Sequence, residues 1–109
     1  MLKAQIQGNL VFEPEIKEVR SSGEKEEHKR KVCVLTVASN RPGREVPCIL
    51  RVEVWGKAAE SCQKYLSKGA GVCAAGDLDI DLYEKDGERR VAVKLVNAEV
   101  EFTDRRAKA

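Results

Sequence analysis

Apolar and polar residues alternate with a period of two over most of this chain, and the breaks in that alternation mark its elements. The clearest run is Val46 to Trp55, where Val46, Cys48, Leu50, Val52 and Val54 alternate with Pro47, Ile49, Arg51, Glu53 and Trp55. One face of this strand is apolar; the other is mixed polar and aromatic. Gly56 and Lys57 break the pattern, and Ala58, Ala59, Cys62, Tyr65 and Leu66 then recur at helical spacing. This predicts a short helix over about 58–68, with Gly69 as its terminator. Upstream, Leu2, Ala4 and Ile6 alternate with Lys3, Gln5 and Gln7 in a first strand over 2–12, which Gly8 bends. Pro14 loosens pairing, and residues 15–20 can pair again briefly. Val32 to Ser39 is β-branched and apolar on both sides, as a central strand requires. With Asn40–Arg44 as its loop, it forms a hairpin with the Val46–Trp55 strand. Gly71 to Tyr83 alternates again, with Val72, Ala74, Gly76, Leu78, Ile80 and Leu82 on one face. Asp86-Gly87 turns the chain into a last strand over 89–102. The pattern predicts five strands, one helix and no βαβ repeat.

At 109 residues the chain is one small domain with a single modest core. It is 42% hydrophobic and 35% charged, with a net charge of +2. That excess is too small to imply nucleic acid by itself; the distribution says more. Residues 13–27 carry Glu13, Glu15, Glu18, Glu24, Glu26 and Glu27 against Lys17, Arg20 and Lys25. Residues 29–57 carry Lys29, Arg30, Lys31, Arg41, Arg44, Arg51 and Lys57 against Glu45 and Glu53. Basic charge therefore gathers around the central hairpin. No stretch is long or apolar enough to span a membrane, and the N-terminus lacks a secretory apolar core, so the expected compartment is cytoplasmic. Cys33, Cys48, Cys62 and Cys73 form no CxxC pair, and His28 is the lone histidine. Reduced, mostly buried thiols fit better than a zinc site.

The arrangement does not point to an enzyme. There is no GxSxG, Walker A or HExxH pattern, and His28 sits in a charge-rich loop. Asp77, Asp79 and Asp81 share a strand face that could hold a divalent cation, but a solvated face that resists edge pairing is the simpler reading. No cofactor or metal is expected. Binding chemistry is better represented. Single strands are held by bases stacked on aromatic rings and by phosphates met by Lys or Arg. Trp55, Arg51 and Ile49 fall on the non-core face of their strand, and Tyr83 stands at the last hairpin. Lys3, Lys31, Arg41, Lys57, Arg89 and Arg90 are the candidate phosphate contacts. Each has a plainer alternative: a rim or interface tryptophan, a surface tyrosine, a solvated cation, or an Arg51–Glu53 ion pair. The charged run Glu24–Lys31 is either a solvated loop tip or the start of a basic arm.

Arg51-Val-Glu-Val-Trp-Gly-Lys-Ala-Ala-Glu60, followed by Tyr65-Leu-Ser-Lys-Gly69, resembles the middle of the bacterial single-stranded DNA-binding proteins. Gly8-Asn9-Leu10 with Pro14-Glu15, Gly76-Asp77-Leu78, and Val100-Glu101-Phe102 with Asp104 are similar to the family's first, fourth and closing strands, in order along the chain. The resemblance implies an all-β, five-stranded OB-fold barrel with one short helix between strands three and four. It would occupy residues 1–104 and leave a short basic end at 105–109. It also implies single-stranded DNA as partner in replication, repair or recombination, and a homodimer or homotetramer meeting at the edges of strand one. Trp55, Tyr83 and Arg51 match family positions. The chain departs from the family at Ile49, where another aromatic is usual, and at Asp79 and Asp81, where basic residues are usual. It also ends DRRAKA in place of an acidic tip. The chain also resembles, as the alternative, a primosomal protein like PriB, although the Trp55-Gly-Lys-Ala-Ala-Glu60 segment fits the general single-strand binders better. That reading is a replication-complex adaptor contacting a helicase, with an OB barrel that binds mainly protein and nucleic acid only weakly.

Overall fold

The structure is a computed structural model and describes residues 1–20, 29–40 and 42–103. Six strands and one helix follow one another: β1 (Lys3–Leu10), β2 (Glu15–Arg20), β3 (Lys29–Ser39), β4 (Cys48–Trp55), α1 (Lys57–Tyr65), β5 (Gly71–Lys85) and β6 (Glu88–Phe102). The sequence pattern predicts five strands; the sixth is β2, a full ladder on β3 from Glu15↔Val34 to Arg20↔Lys29 where only brief pairing was expected. Its mostly charged residues give no strong apolar alternation, because the strand lies at the end of the sheet. Residues 21–23, the Glu24–His28 part of the charged run, Arg41 and the basic end at 105–109 lie outside the described residues.

Pairing runs in a ring. β1 lies antiparallel to β5, β5 to β6, and β3 to β4, while β6 runs parallel to β4 through Arg51↔Lys94 and Val52↔Leu95. The end of β1 then returns to β3 at Asn9↔Ala38 and Leu10↔Val37. Gly8 stands at this return, where its lack of a side chain lets β1 approach the backbone of Ala38 and Ser39.

The core inside the ring is aliphatic. Leu35, Val37, Val52, Val54, Val72 and Leu95 are fully buried, and Ala59, Cys62 and Leu66 close one end. β3 is apolar on both sides as expected of a central strand, with adjacent Val32 and Cys33 both buried. The helix is shorter than predicted. It stops at Tyr65 because Leu66 turns extended (φ −98°, ψ 149°) and drops its side chain into the core. Gly69 (φ 93°) instead makes the following turn and donates its N–H to the Leu10 carbonyl at 2.9 Å. Ala58 and Tyr65 share the helical spacing but face outward. β4 starts at Cys48, after Pro47, which has no N–H for the ladder; Val46 is thus outside the strand and 66% exposed.

The apolar face read along β5 also divides. Val72, Ala74 and Gly76 are buried, whereas Ile80 and Leu82 are exposed, the latter by 81%. The two 15-residue strands β5 and β6 outrun the core, so Ile80 with Val93 and Leu82 with Val91 form the exposed ladder of a two-stranded arm.

Cys33 and Cys62 are buried, and Cys48 and Cys73 are partly exposed. Burial pushes the Cys62 thiol from its ordinary 9.0 up to about 12, and neighbouring Cys33 adds to the effect. Native protein treated with iodoacetamide at mildly alkaline pH is therefore expected to carry label on Cys48 and Cys73 and little on Cys62. Rapid labelling of Cys62 in folded protein would contradict its burial. The same shift has a pH consequence. Above pH 9.0 the unfolded thiol loses its proton while the folded one keeps it up to about 12. Cys62 thus contributes stability that is complete below about 9 and is lost as pH rises toward 12. Replacing Cys62 with Ala should flatten that part of the alkaline unfolding curve.

Candidate nucleic-acid interface

No aromatic side chain enters the core. Phe12, Tyr65, Tyr83 and Phe102 are exposed and Trp55 is half-buried, which accounts for the one Trp, two Tyr and two Phe of the chain. Large aromatic rings ordinarily contribute strongly to core burial. Here Val, Leu, Ile, Ala and Cys suffice to fill the ring, and the aromatics stay outside it.

Alternation along β4 points Val52 and Val54 inward and Ile49, Arg51, Glu53 and Trp55 outward. Cross-strand register extends this outer face over four strands: Thr36 of β3 pairs Arg51, Arg51 pairs Lys94 of β6, and Lys94 pairs Asp79 of β5. Two clefts lie on it. The first, about 480 Å³, is lined by Arg30, Lys31, Trp55, Gly56, Lys57 and Glu60. The Arg30 guanidinium lies 5.3 Å from the centre of the Trp55 ring, a cation–π distance. Gly56 (φ 69°) makes the turn from β4 into α1, in a conformation that glycine adopts without strain, and so sets Lys57 beside Trp55. Lys31 Nζ meets Glu60 Oε1 at 3.1 Å. The second cleft, about 430 Å³, is lined by Phe12, Glu13, Glu15, Lys17, Val34, Thr36, Arg51, Glu53 and Lys94. In it Lys94 Nζ meets Glu53 Oε2 at 3.2 Å, and Lys17 Nζ meets Glu15 Oε1 at 3.6 Å. The Arg51–Glu53 pair, the plainer alternative for Arg51, is absent among the described ion pairs, where Lys94 from the neighbouring strand takes the Glu53 carboxylate.

The structure thus gathers Lys31, Trp55 and Lys57 in one cleft and sets Arg51 in the next, with Ile49 exposed on the same strand face. Tyr83 and Arg89 line a separate cleft of about 380 Å³ on the arm, together with Leu82 and Glu84. Arg90 pairs with Tyr83 across the arm and lies 3.6 Å from Glu88. Lys3 lies in none of these clefts. Its Nζ is 2.7 Å from Asp77, and that hydrogen bond, with a weaker one from Asn97, holds the Asp77 carboxyl below its ordinary range. Arg41 lies outside the described residues. Asp77, Asp79 and Asp81 form no metal-binding cluster among the described residues.

Sequence reasoning did not single out Phe12, Lys17, Lys94 or Glu60, and it reached Arg30 only as part of a basic arm with Lys29 and Lys31. Arg30 continues the alternation of β3 backward from Val32, a signal hidden by the charged run around it. Lys94 joins the groove only because β6 lies parallel to β4, which no local pattern reveals.

Among the described residues no helix is long and apolar enough to cross a membrane. Residues 1–103 match the model of the single-strand binding protein family. Single-stranded DNA-binding protein 1 of Clostridium acetobutylicum is 30% identical over 115 residues, covering 100% of this chain and 99% of the relative. Single-stranded DNA-binding protein 2 of the same organism is 32% identical over 109 residues, covering 95% and 77%. Single-stranded DNA-binding protein 1 of Streptococcus pyogenes is 29% identical over 100 residues, covering 92% and 75%. With the family match running through every described strand, this chain belongs to the single-strand binding protein family.

Proposed function

We propose that the protein is a non-catalytic binder of single-stranded DNA, acting in replication, repair or recombination in the cytoplasm. In this reading residues 1–104 form one domain, and the ring β1-β5-β6-β4-β3 is the five-stranded OB barrel, with β2 as an extension of β3. Bases stack on Trp55, with Tyr83 on the arm as a second platform. Lys31, Lys57, Arg51, Arg89 and Arg90 meet phosphates, with Ile49 in apolar contact. The observation that carries this is the exclusion of every aromatic from an aliphatic core while Trp55 stands among Arg30, Lys31 and Lys57. Lys3 contributes less, since Asp77 already holds it. The proposed assembly is a homodimer or homotetramer. Along Lys3–Gln7, β1 has a ladder partner on the β5 side alone among the described pairings, which leaves an edge that a second copy could extend.

Trp55 is the single tryptophan, so its fluorescence reports the proposed site directly. Titration with oligo-dT at low salt is expected to quench it with micromolar or tighter affinity, and the affinity should fall as salt rises. A flat trace, matched by no shift on a gel, would sink the reading and move the weight to a protein-binding adaptor.

A further inference from the structure

We propose that Glu60 and Glu53 set the affinity of this interface, as internal carboxylates that occupy the cations a DNA phosphate must reach. The inference rests on the binding reading above and concerns how strong that binding is.

Glu60 is the one acidic side chain lining the Trp55 cleft, against Arg30, Lys31 and Lys57. Its Oε1 takes up Lys31 at 3.1 Å, so the Lys31 ammonium already has an oxyanion when the cleft is empty. The helix fixes this arrangement. Ala59 and Cys62 are buried on either side of Glu60 in sequence, so the Glu60 backbone cannot withdraw, and only its side chain can swing aside. The second cleft repeats the device. Glu53 Oε2 holds Lys94 at 3.2 Å, next to Arg51, which has no described ion pair.

A phosphate entering either cleft exchanges one oxyanion for another and leaves a carboxylate close by. The Lys31–Glu60 side chains are 42% and 55% exposed, so the released Glu60 is readily hydrated. Lys94 and Glu53 are 39% and 22% exposed, so Glu53 resists displacement more. Exposed pairs of this kind are weak, which makes them displaceable and limits their effect to a modest factor each.

The test is binding of fluorescently labelled oligo-dT, followed by anisotropy at low salt. Glu60→Gln and Glu53→Gln are each expected to tighten binding about threefold, and the double variant about tenfold, with the gain shrinking as salt screens it. Glu101→Gln changes the net charge equally on a surface outside the described clefts and should leave affinity unchanged. In a Lys31→Ala background, Glu60→Gln should lose most of its effect. The inference is overturned if Glu60→Gln binds no tighter than wild type, or if Glu101→Gln gives the same gain, which would mean that net charge alone is at work. Absence of binding by wild type and all variants overturns the nucleic-acid reading itself, and so is distinct from failure of this inference.

Discussion

Trp55→Ala is expected to weaken oligo-dT binding by about ten- to a hundredfold while the protein stays folded. In single-strand-binding proteins, base–aromatic stacking is worth about 1–3 kcal/mol per base, and Trp55 offers the largest ring on the outer face of β4. The fold should tolerate the change because Val52 and Val54 supply the core side of that strand and the indole lies outside it. Stability should fall moderately, because the change removes both the contact with Arg30 and the covered part of the half-buried indole. Anisotropy with labelled DNA measures the affinity without relying on the missing tryptophan, and circular dichroism with urea unfolding checks the fold. Trp55→Phe should recover part of the affinity, because a smaller ring still stacks. A folded Trp55→Ala protein with wild-type affinity would remove Trp55 from the interface and leave the cations of the cleft as solvated charge.

The largest effect on stability is expected from Gly8→Ala. A Cβ on Gly8 would fall onto the carbonyl oxygen of Ala38, a backbone atom of the central strand that has no free direction in which to move. β1 would be forced off β3 at the place where the ring of pairings returns on itself. A cost of about 3 kcal/mol or more is expected, a large share of the 5–15 kcal/mol that usually holds a domain together. Gly76→Ala meets the Val96 carbonyl oxygen at 2.6 Å and should act in the same direction. Gly87→Asn is the contrasting change. At the tip of the arm a side chain meets no atom within 4 Å, and Asn tolerates the positive φ of 78°, so a cost under about 1 kcal/mol is expected. Urea midpoints of the three variants rank these effects. Equal midpoints for Gly8→Ala and Gly87→Asn would show that β1 need not approach β3 so closely.

Much of this architecture is legible from alternation, because a strand with one face in a core must alternate. β1, β3, β4 and α1 all lie within a few residues of where the pattern puts them. What alternation cannot say is whether a face meets anything. Ile80 and Leu82 continue the pattern of Val72 and Ala74 without a break, yet the arm carries them beyond the core. A strand rich in charge gives little alternation to read, and so β2 looked like a brief pairing. The site divides in the same way. Trp55, Arg51 and Lys57 lie on or next to one strand, so local spacing finds them. Phe12, Lys17 and Lys94 reach the groove from β6 and the β1–β2 region, and their presence depends on which strands become neighbours. Along the sequence the carboxylates that stand out are Asp79 and Asp81 of β5. The ion pairs inside the clefts come instead from Glu53 and Glu60, which face the cations directly.

The parallel contact between β4 and β6 also has a kinetic side. Of the described strands, β6 leaves the ribosome last, yet it supplies Lys94 to the groove and Leu95 to the core. Until it arrives, β4 is paired with β3 alone and keeps an open edge, and β5 lacks its longest partner. Pairings between such distant segments form slowly, on the scale of milliseconds to seconds in domains dominated by non-local sheet contacts. A growing chain therefore carries Trp55 and Arg51 for some time before the surface that would use them exists. Affinity for nucleic acid should appear abruptly when the last strand docks, instead of accumulating as the polypeptide lengthens.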